Sequence, residues 1–409
     1  MLLGERRASR HDRPPQVSTA AFTATQADAG GRRRPGVVAM VGAGQLARMT
    51  HQAAIGLDVR LRVLAAAADD AAVLSGAAHL VGSPERLEDL RALAEGAEVL
   101  TFDHERVPPE HLAALEADGV RLAPSASAKL FAQDKLHQRR ELSALGLPVP
   151  PFVDARATGD ASRLARAHGW PLVAKAPRGG YDGRGVFEVG DPGALQRALA
   201  AHPDGLLLEP RLDLERELAI IVARSADGSR VAYPVVETVQ RDAMCREIVA
   251  PAQIPAPLAA QARELALELA AAIDATGVLA VELFHTTDGR LLVNELALRP
   301  HNSGHYTIEG CVTSQFEQHL RAVLGLPLGL TDLRAPAVVT VNVVGPADGS
   351  DPAARIGDAL AVPGAHVHLY GKRARAGRKL GHVTVCGSEP AATRNCARRA
   401  AALLEGSQP

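Results

Sequence analysis

The segment from Val278 to Leu296 reads VLAVELFHTTDGRLLVNEL, two apolar β-forming runs joined across Asp288-Gly289. An Asp-Gly pair between such runs is a strong hairpin signal, because both residues tolerate the backbone of a tight turn. Pairing the runs puts Glu282 and Glu295 on facing strands, where like charges opposed across a ladder are destabilising. Two carboxylates accept that arrangement readily when a divalent cation sits between them. Hard oxygen ligands without His or Cys imply magnesium, completed by nucleotide phosphates, with Asn294 and Asn302 as candidate supplementary ligands.

A chain of 409 residues exceeds one ordinary core, and roughly 100–200 residues per domain predicts two or three. Residues 1–35 are rich in Arg, Ser and Thr, lack an apolar signal core, and read as a disordered N-terminal extension. Order is expected from Val37, where VVAMVGAGQLARMTHQAA reads as a buried strand, a glycine turn and a helix. The strand VRLRVL, a helix over 84–95 and the strand EVLTF follow. Strands alternating with helices predict a parallel, doubly wound, Rossmann-like α/β domain over 36–130. Pro-rich LPVPPF at 147–152 punctuates the change to an α+β texture, and 131–330 reads as a second domain containing the hairpin. AVVTVNVVG, HVHLYGK and KLGHVTV, followed by a helix over 390–404, predict a small β-rich domain over 331–409.

Gly42-Ala43-Gly44-Gln45-Leu46-Ala47 fits G-x-G-x-x-A, which in a dinucleotide site places a pyrophosphate over helix N-terminal amides. That fingerprint also needs an acid about 20 residues on, at the end of the second strand. Here the strand runs out in Val63-Leu64-Ala65-Ala66, and Asp69 and Asp70 come too late. A turn contacting another phosphate or polar ligand fits better, with Gln45 supplying amide donors and an acceptor.

Further segments carry the remaining chemistry. Lys175 ends the apolar run LVAK, and a cation there is costly to bury unless it meets an anion; a snorkelling surface lysine is the alternative. Arg178-Gly179-Gly180-Tyr181-Asp182-Gly183-Arg184-Gly185 can bring backbone amides close to phosphates and close as a lid. Glu209 and Glu217, flanking the approach to RELAIIVAR, can accept from an adenine amino group and ribose hydroxyls, solvated surface acids being the alternative. Arg299-Pro300-His301-Asn302-Ser303-Gly304-His305-Tyr306 is too polar and glycine-broken for a core element and reads as a substrate loop. Lys372, Arg378 and Lys379, in YGKRARAGRK, either converge on one anion or decorate an ordinary solvated hairpin.

A formal net charge of −1 supplies no field that would recruit nucleic acid or an anionic membrane. No apolar run approaches the roughly 20 residues that span a bilayer. Cys245, Cys311, Cys386 and Cys396 stand far apart with no CxxC, which signals neither zinc nor disulfides and fits thiols in a reducing cytosol.

Taken in order, GAGQL, TFDHERVP, QDK (Gln133 to Lys135), VAKAPRGGYDGRG, RELAIIVAR, YPVVETV, APAQIP, VELFHTTDGRLLVNEL, RPHNSGHYTIEG, TSQFEQHLRAVLGLPLG and YGKRARAGRKLGHVT resemble the signature blocks of the N5-carboxyaminoimidazole ribonucleotide synthase family. RPHNSGHYTIEG followed by TSQFEQH is the most specific of them. The resemblance implies an ATP-grasp fold, with a Rossmann-like pre-ATP-grasp domain, a central domain holding nucleotide between two α+β lobes, and a small C-terminal β-rich domain. It implies ATP, bicarbonate and 5-aminoimidazole ribonucleotide as substrates, two magnesium ions, a carboxyphosphate intermediate, and a cytoplasmic homodimer serving purine biosynthesis.

Carried over residue by residue, the resemblance puts Lys135, Lys175, Gly180, Tyr181, Asp182, Gly183, Arg184, Gly185, Glu209, Glu217, Asn294 and Glu295 on ATP, and Glu282 and Glu295 on magnesium. Gln45, Tyr181, Asp182, Arg184, Arg299, His301 and Asn302 would surround the aminoimidazole and the reacting carboxyl group, with Asp182 a candidate proton acceptor. Lys372, Arg378 and Lys379 would hold the ribotide phosphate. Gln240 stands where the family usually has His, Leu298 where Pro usually precedes RPHN, and Val186 where a polar residue usually ends the glycine loop. These departures bear on nucleotide affinity and loop rigidity more than on reaction type. Rival readings are another ATP-grasp ligase, such as a formate-dependent glycinamide ribonucleotide transformylase, a nicotinamide oxidoreductase, and a nucleotide-sensing module without turnover.

Overall fold

The computed structural model describes residues 36–179, 185–241 and 244–407. The extension expected over 1–35 and the loop residues Gly180, Tyr181, Asp182, Gly183 and Arg184 lie outside the described residues. Strands β1 (Val37–Val41), β2 (Arg60–Ala65), β3 (Ala78–Val81) and β4 (Val99–Phe102) form a parallel sheet in the order β3-β2-β1-β4. Every residue of β1 and β4 is buried, as expected for central parallel strands covered on both faces. β3 left no usable signal in the sequence, since its four residues are mostly half-buried and show no clear period.

The second region contains two sheets. The smaller joins β5 (Val153–Ala155), β6 (Leu172–Lys175), β7 (Val186–Val189) and β8 (Leu206–Pro210) in the antiparallel order β5-β8-β6-β7. Leu164 and Leu195 of its two covering helices pack into its core. The larger begins with β9 (Leu214–Arg224), β10 (Arg230–Ala232), β11 (Val236–Arg241) and β12 (Met244–Ala250), and includes the expected hairpin as β13 (Gly277–Thr286) and β14 (Leu291–Ala297). The run RVAYPVVETV holds two strands rather than one: β10 and β11 are separate partners of β9, with Pro234, which has no N–H to give a ladder, between them.

The C-terminal strands β15 (Ala337–Val344), β16 (Ala365–Leu369) and β17 (Lys379–Gly387) continue this larger sheet, because β15 pairs antiparallel with β12. The result is nine strands, β14-β13-β9-β11-β12-β15-β17-β16 with β10 beside β9. Helix Ala256–Ala272 buries Leu265, Ala266 and Leu269 against the β9–β13 end, and helix Pro390–Glu405 covers the β15–β17 end.

One buried histidine ties the first sheet to the larger one. His319 Nδ1 accepts from the Val278 N–H at 3.1 Å, and its Nε2 lies 2.8 Å from Thr101 Oγ1. Burial pushes its pKa down to about 3, so the ring is neutral and Nε2–H is the donor to Thr101. Among the described residues no helix is long and apolar enough to cross a membrane, and all four cysteines are free thiols.

Candidate active site

The hairpin register sets Glu282 directly opposite Glu295. The next pair is Leu283 with Val293, so Asn294 is the extra residue of a β-bulge beside Glu295. Bulges re-aim side chains, and here Asn294 reaches Lys175 (3.1 Å) while Glu295 reaches Lys135 (2.8 Å). Glu217 on β9 lies two positions from Ala219, the β9 partner of Glu282, and therefore on the same face. Burial, then the neighbouring charges of Glu295 and Glu217, push the Glu282 carboxyl up to about 8. A site where opposed carboxylates must retain a proton is one where a divalent cation can replace it. Among the described residues no group of three or more His, Cys, Asp or Glu surrounds a metal position. Two opposed carboxylates are a hard-oxygen pair whose chemistry fits magnesium completed by nucleotide phosphates.

Lys175, at the end of β6, is 7% exposed, which removes the surface-lysine alternative. Its Nζ lies 2.7 Å from Glu209 Oε2, and Arg139 Nε lies 2.5 Å from Glu209 Oε1. Both oxygens of Glu209 are therefore taken by protein cations, and the carboxylate bears on the site through Lys175. Burial pushes Glu209 upward, but Lys175 and Arg139 hold it below the usual carboxylate range. Burial also lowers the Lys175 ammonium. Glu217 is raised by burial and hydrogen-bonded to Gln240, so that departure from the family pattern sits at a nucleotide candidate.

The ends of the glycine loop are anchored from two sides. Gly179 and Gly185 have φ of +79° and +74°, which side chains rarely adopt. The Ala176 N–H donates to the Gly185 carbonyl at 2.8 Å, and the Lys135 N–H to the Pro177 carbonyl at 2.8 Å. Asp134 caps its helix through Leu136 N–H and His137 N–H and takes Arg178 at 2.9 Å.

The substrate loop is clamped by Gln315, whose Oε1 accepts from the His301 N–H (2.9 Å) and whose Nε2 donates to the His301 carbonyl (2.7 Å). His301 Nε2 then lies 3.5 Å from Glu282 Oε1. Arg299 Nε is 3.0 Å from Glu105 Oε1, and the other oxygen of Glu105 pairs with the fully buried Lys129. Asn302 lies beside the Cys245 thiol, which burial pushes up to about 12 and so keeps unreactive. Leu298 is buried in the core beneath the hairpin.

The basic hairpin reaches this loop through aromatic rings. His368 stacks on His382 (4.6 Å between centroids), His382 lies tilted against His305 (4.9 Å), and Tyr370 Oη is 2.8 Å from His382 Nδ1. Lys372 Nζ is 5.4 Å from the Tyr370 ring centre, and the charges of Lys372 and Lys379 both bear on His305. Arg378 folds back, Nη1 donating to the Arg373 carbonyl at 3.1 Å. Gln45 opens a helix whose Leu46 and Met49 share an apolar cluster with Phe316 and Tyr370.

The dinucleotide reading fails on geometry as well as on sequence. Asp103 Oδ2 already accepts from the Gly44 N–H at 2.8 Å, and a Cβ on Gly42 would lie 1.7 Å from Asp103 Oδ1. Asp70 is spent on the Ala66 and Ala67 amides. Arg139, Glu105, Lys129 and Gln315 had no assigned role in the sequence. Lys129 had a faint signal, a cation in the otherwise uncharged helix Ala126–Gln133, whereas Arg139 lies in KLHQRRELSA, where charge is unremarked.

Comparisons with known proteins agree with this architecture. Residues 36–133 match the ribonucleotide synthetase preATP-grasp domain, 140–316 the ATP-grasp domain, and 338–395 the phosphoribosylaminoimidazole carboxylase C-terminal domain. An N5-carboxyaminoimidazole ribonucleotide synthase of Mycobacterium tuberculosis is 52% identical over 364 residues, 87% of this chain and 84% of that one. A carboxyaminoimidazole ribonucleotide synthase from Aspergillus clavatus, solved with ATP, superposes with a TM-score of 0.83 at 34% identity, over 92% of this chain and 100% of that one. Its structure with ADP and 5-aminoimidazole ribonucleotide gives 0.83 at 33% identity, over 91% and 99%. With all three domain types in order and half its residues shared along most of a relative's length, the chain belongs to the N5-carboxyaminoimidazole ribonucleotide synthase family of ATP-grasp enzymes.

Proposed function

We propose that the protein uses ATP to carboxylate 5-aminoimidazole ribonucleotide with bicarbonate, forming N5-carboxyaminoimidazole ribonucleotide, ADP and phosphate in purine biosynthesis. The observation that carries the reading is the opposed Glu282–Glu295 pair, flanked by Lys135 and Lys175 on one side and His301 on the other. The Aspergillus relative solved with ADP and 5-aminoimidazole ribonucleotide supports this choice of acceptor.

Magnesium held by Glu282 and Glu295 would supply charge neutralisation to the nucleotide phosphates. Lys175 and Lys135 bind and orient the γ-phosphoryl group as a bicarbonate oxygen attacks phosphorus and the bond to ADP breaks. The resulting carboxyphosphate hydrolyses quickly in water, so the loop from Gly179 to Gly185 closes to exclude it. Carboxyphosphate then splits into carbon dioxide and phosphate beside the exocyclic amine, whose nitrogen attacks the carbon dioxide to form the N–C bond. Arg299 and His301, with Arg184, hold the developing carboxylate, and Asp182 accepts the amine proton. Gln45, Tyr181 and Asn302 line the aminoimidazole, Glu217 and Asn294 the nucleotide, and Lys372, Lys379 and Arg378 the ribotide phosphate. The working enzyme is a cytoplasmic homodimer.

Phosphate release from ATP tests the reading. Bicarbonate with aminoimidazole ribotide should stimulate it manyfold, and formate with glycinamide ribotide, or a nicotinamide cofactor, should not. Stimulation by the formate pair alone would transfer the chain to the rival ligase.

A further inference from the structure

Arg139 is 1% exposed and lies one helical turn beyond Lys135 on helix Lys135–Ala144. Its Nε meets Glu209 Oε1 at 2.5 Å, and its Nη1 donates to Gln138 Oε1 at 2.9 Å. Glu209 Oε2 takes Lys175 Nζ at 2.7 Å, and Lys175 continues to Asn294 Oδ1 at 3.1 Å. Two cations on one carboxylate leave a net positive charge in a buried setting, where an unbalanced charge is costly. A Lys175–Glu209 pair alone would be neutral, and a lysine claimed by both oxygens of its own carboxylate has less to offer a phosphate. The guanidinium occupies one of those oxygens with a planar fork, so Lys175 is held through the other and stays turned toward the bulge.

We propose that Arg139 is a positioning residue for the nucleotide phosphates. Acting through Glu209, it fixes Lys175 Nζ beside Asn294 and leaves the excess positive charge for the nucleotide. The proposal rests on the reading of the Lys135–Lys175–Glu295 junction as the ATP phosphate site.

Steady-state phosphate release with ATP varied at saturating bicarbonate and aminoimidazole ribotide, together with calorimetric ADP binding, tests it on Arg139→Met, Arg139→Lys and Lys175→Met. Arg139→Met should raise the KM for ATP and the Kd for ADP about tenfold while the KM for the ribotide stays within about twofold. Arg139→Lys restores charge without the fork and should recover part of the loss. A merely structural arginine would lower the melting temperature and the active fraction, neither of which moves a KM or a Kd. If both Arg139 variants keep wild-type nucleotide constants while Lys175→Met weakens them, the proposal is overturned and the phosphate site stands. Unchanged constants in Lys175→Met would bring down the phosphate-site reading, and the proposal with it. Should Arg139→Met fail to fold, Arg139→Lys decides alone: an ADP Kd raised about threefold or more supports the proposal, and an unchanged one overturns it.

Discussion

Lys175–Glu209–Arg139 and Lys129–Glu105–Arg299 are made from the same three residue types, two cations on one carboxylate, and differ in which cation faces the site. At the inter-sheet junction the lysine reaches Asn294 and the arginine is the buried anchor. At the junction with the first domain the lysine is fully buried and also donates to the His104 carbonyl at 3.0 Å, while Arg299 emerges in the substrate loop. In both, burial pushes the carboxyl upward and the two cations bring it below its usual range. Glu282, opposed to another carboxylate, is pushed the other way. Carboxylates held between cations orient a neighbour, whereas opposed carboxylates favour a proton or another positive charge between them.

That contrast is broken most directly at Glu295. Glu295→Gln should cut phosphate release by on the order of a hundred- to a thousandfold with the fold intact, since a neutral amide cannot balance a divalent cation. Near wild-type turnover at ordinary magnesium would mean that the opposed pair does not hold the metal.

A smaller effect, on stability rather than turnover, separates the two anchored carboxylates. Lys129→Met leaves the half-buried Glu105 with only Arg299 and should cost about 1.5–3 kcal/mol, the scale of one charged hydrogen bond, read by denaturant titration. ADP affinity should be unaffected. A variant as stable as the wild type would show that Lys129 is no anchor.

The opposed pair should also be visible in the pH dependence of stability. A raised Glu282 pKa means that the folded protein keeps a proton which the unfolded chain releases. The associated stability is complete below about pH 4.5 and is lost as the pH rises toward about 8. In EDTA, the melting temperature of the wild type relative to Glu282→Gln should therefore fall by a few degrees across that window, and magnesium with nucleotide should flatten the curve. A difference that rises with pH would contradict the assignment.

The least effect is expected at Arg378, whose side chain is partly committed to the Arg373 carbonyl. Arg378→Ala should raise the KM for the ribotide by about tenfold, the scale of one charged hydrogen bond, with the KM for ATP unmoved. An equal rise for both substrates would take this loop out of the ribotide site.

Much of the fold was legible because its signals are short-range. The Asp288-Gly289 turn, the alternating strands and helices of the first domain, and Lys175 at the end of an apolar strand each depend on a few neighbouring residues. β3 and the division of RVAYPVVETV were not legible: one is four residues long, and the other turns on a proline whose effect depends on the strand beside it. The expected C-terminal strands formed, but their place in the larger sheet depends on the edge that β12 exposes, which nothing in β15 itself encodes.

The sequence by itself determined which residues could carry the chemistry: two opposed acids, a glycine loop, a strand-end lysine, a polar substrate loop and a basic turn. Only the tertiary structure decided which charge serves which. Arg139 finds Glu209 across 70 positions, Lys175 finds Asn294 across 119, and Thr101 finds His319 across 218. Secondary structure follows from local torsions and periodicity, whereas the partner of a buried charge is chosen by whichever acceptor the packed elements bring within about 3 Å of it. KLHQRRELSA contains three cations that look alike in sequence, and packing sends Lys135 to Glu295, Arg139 to Glu209 and Arg140 to the exposed Asp154 pair.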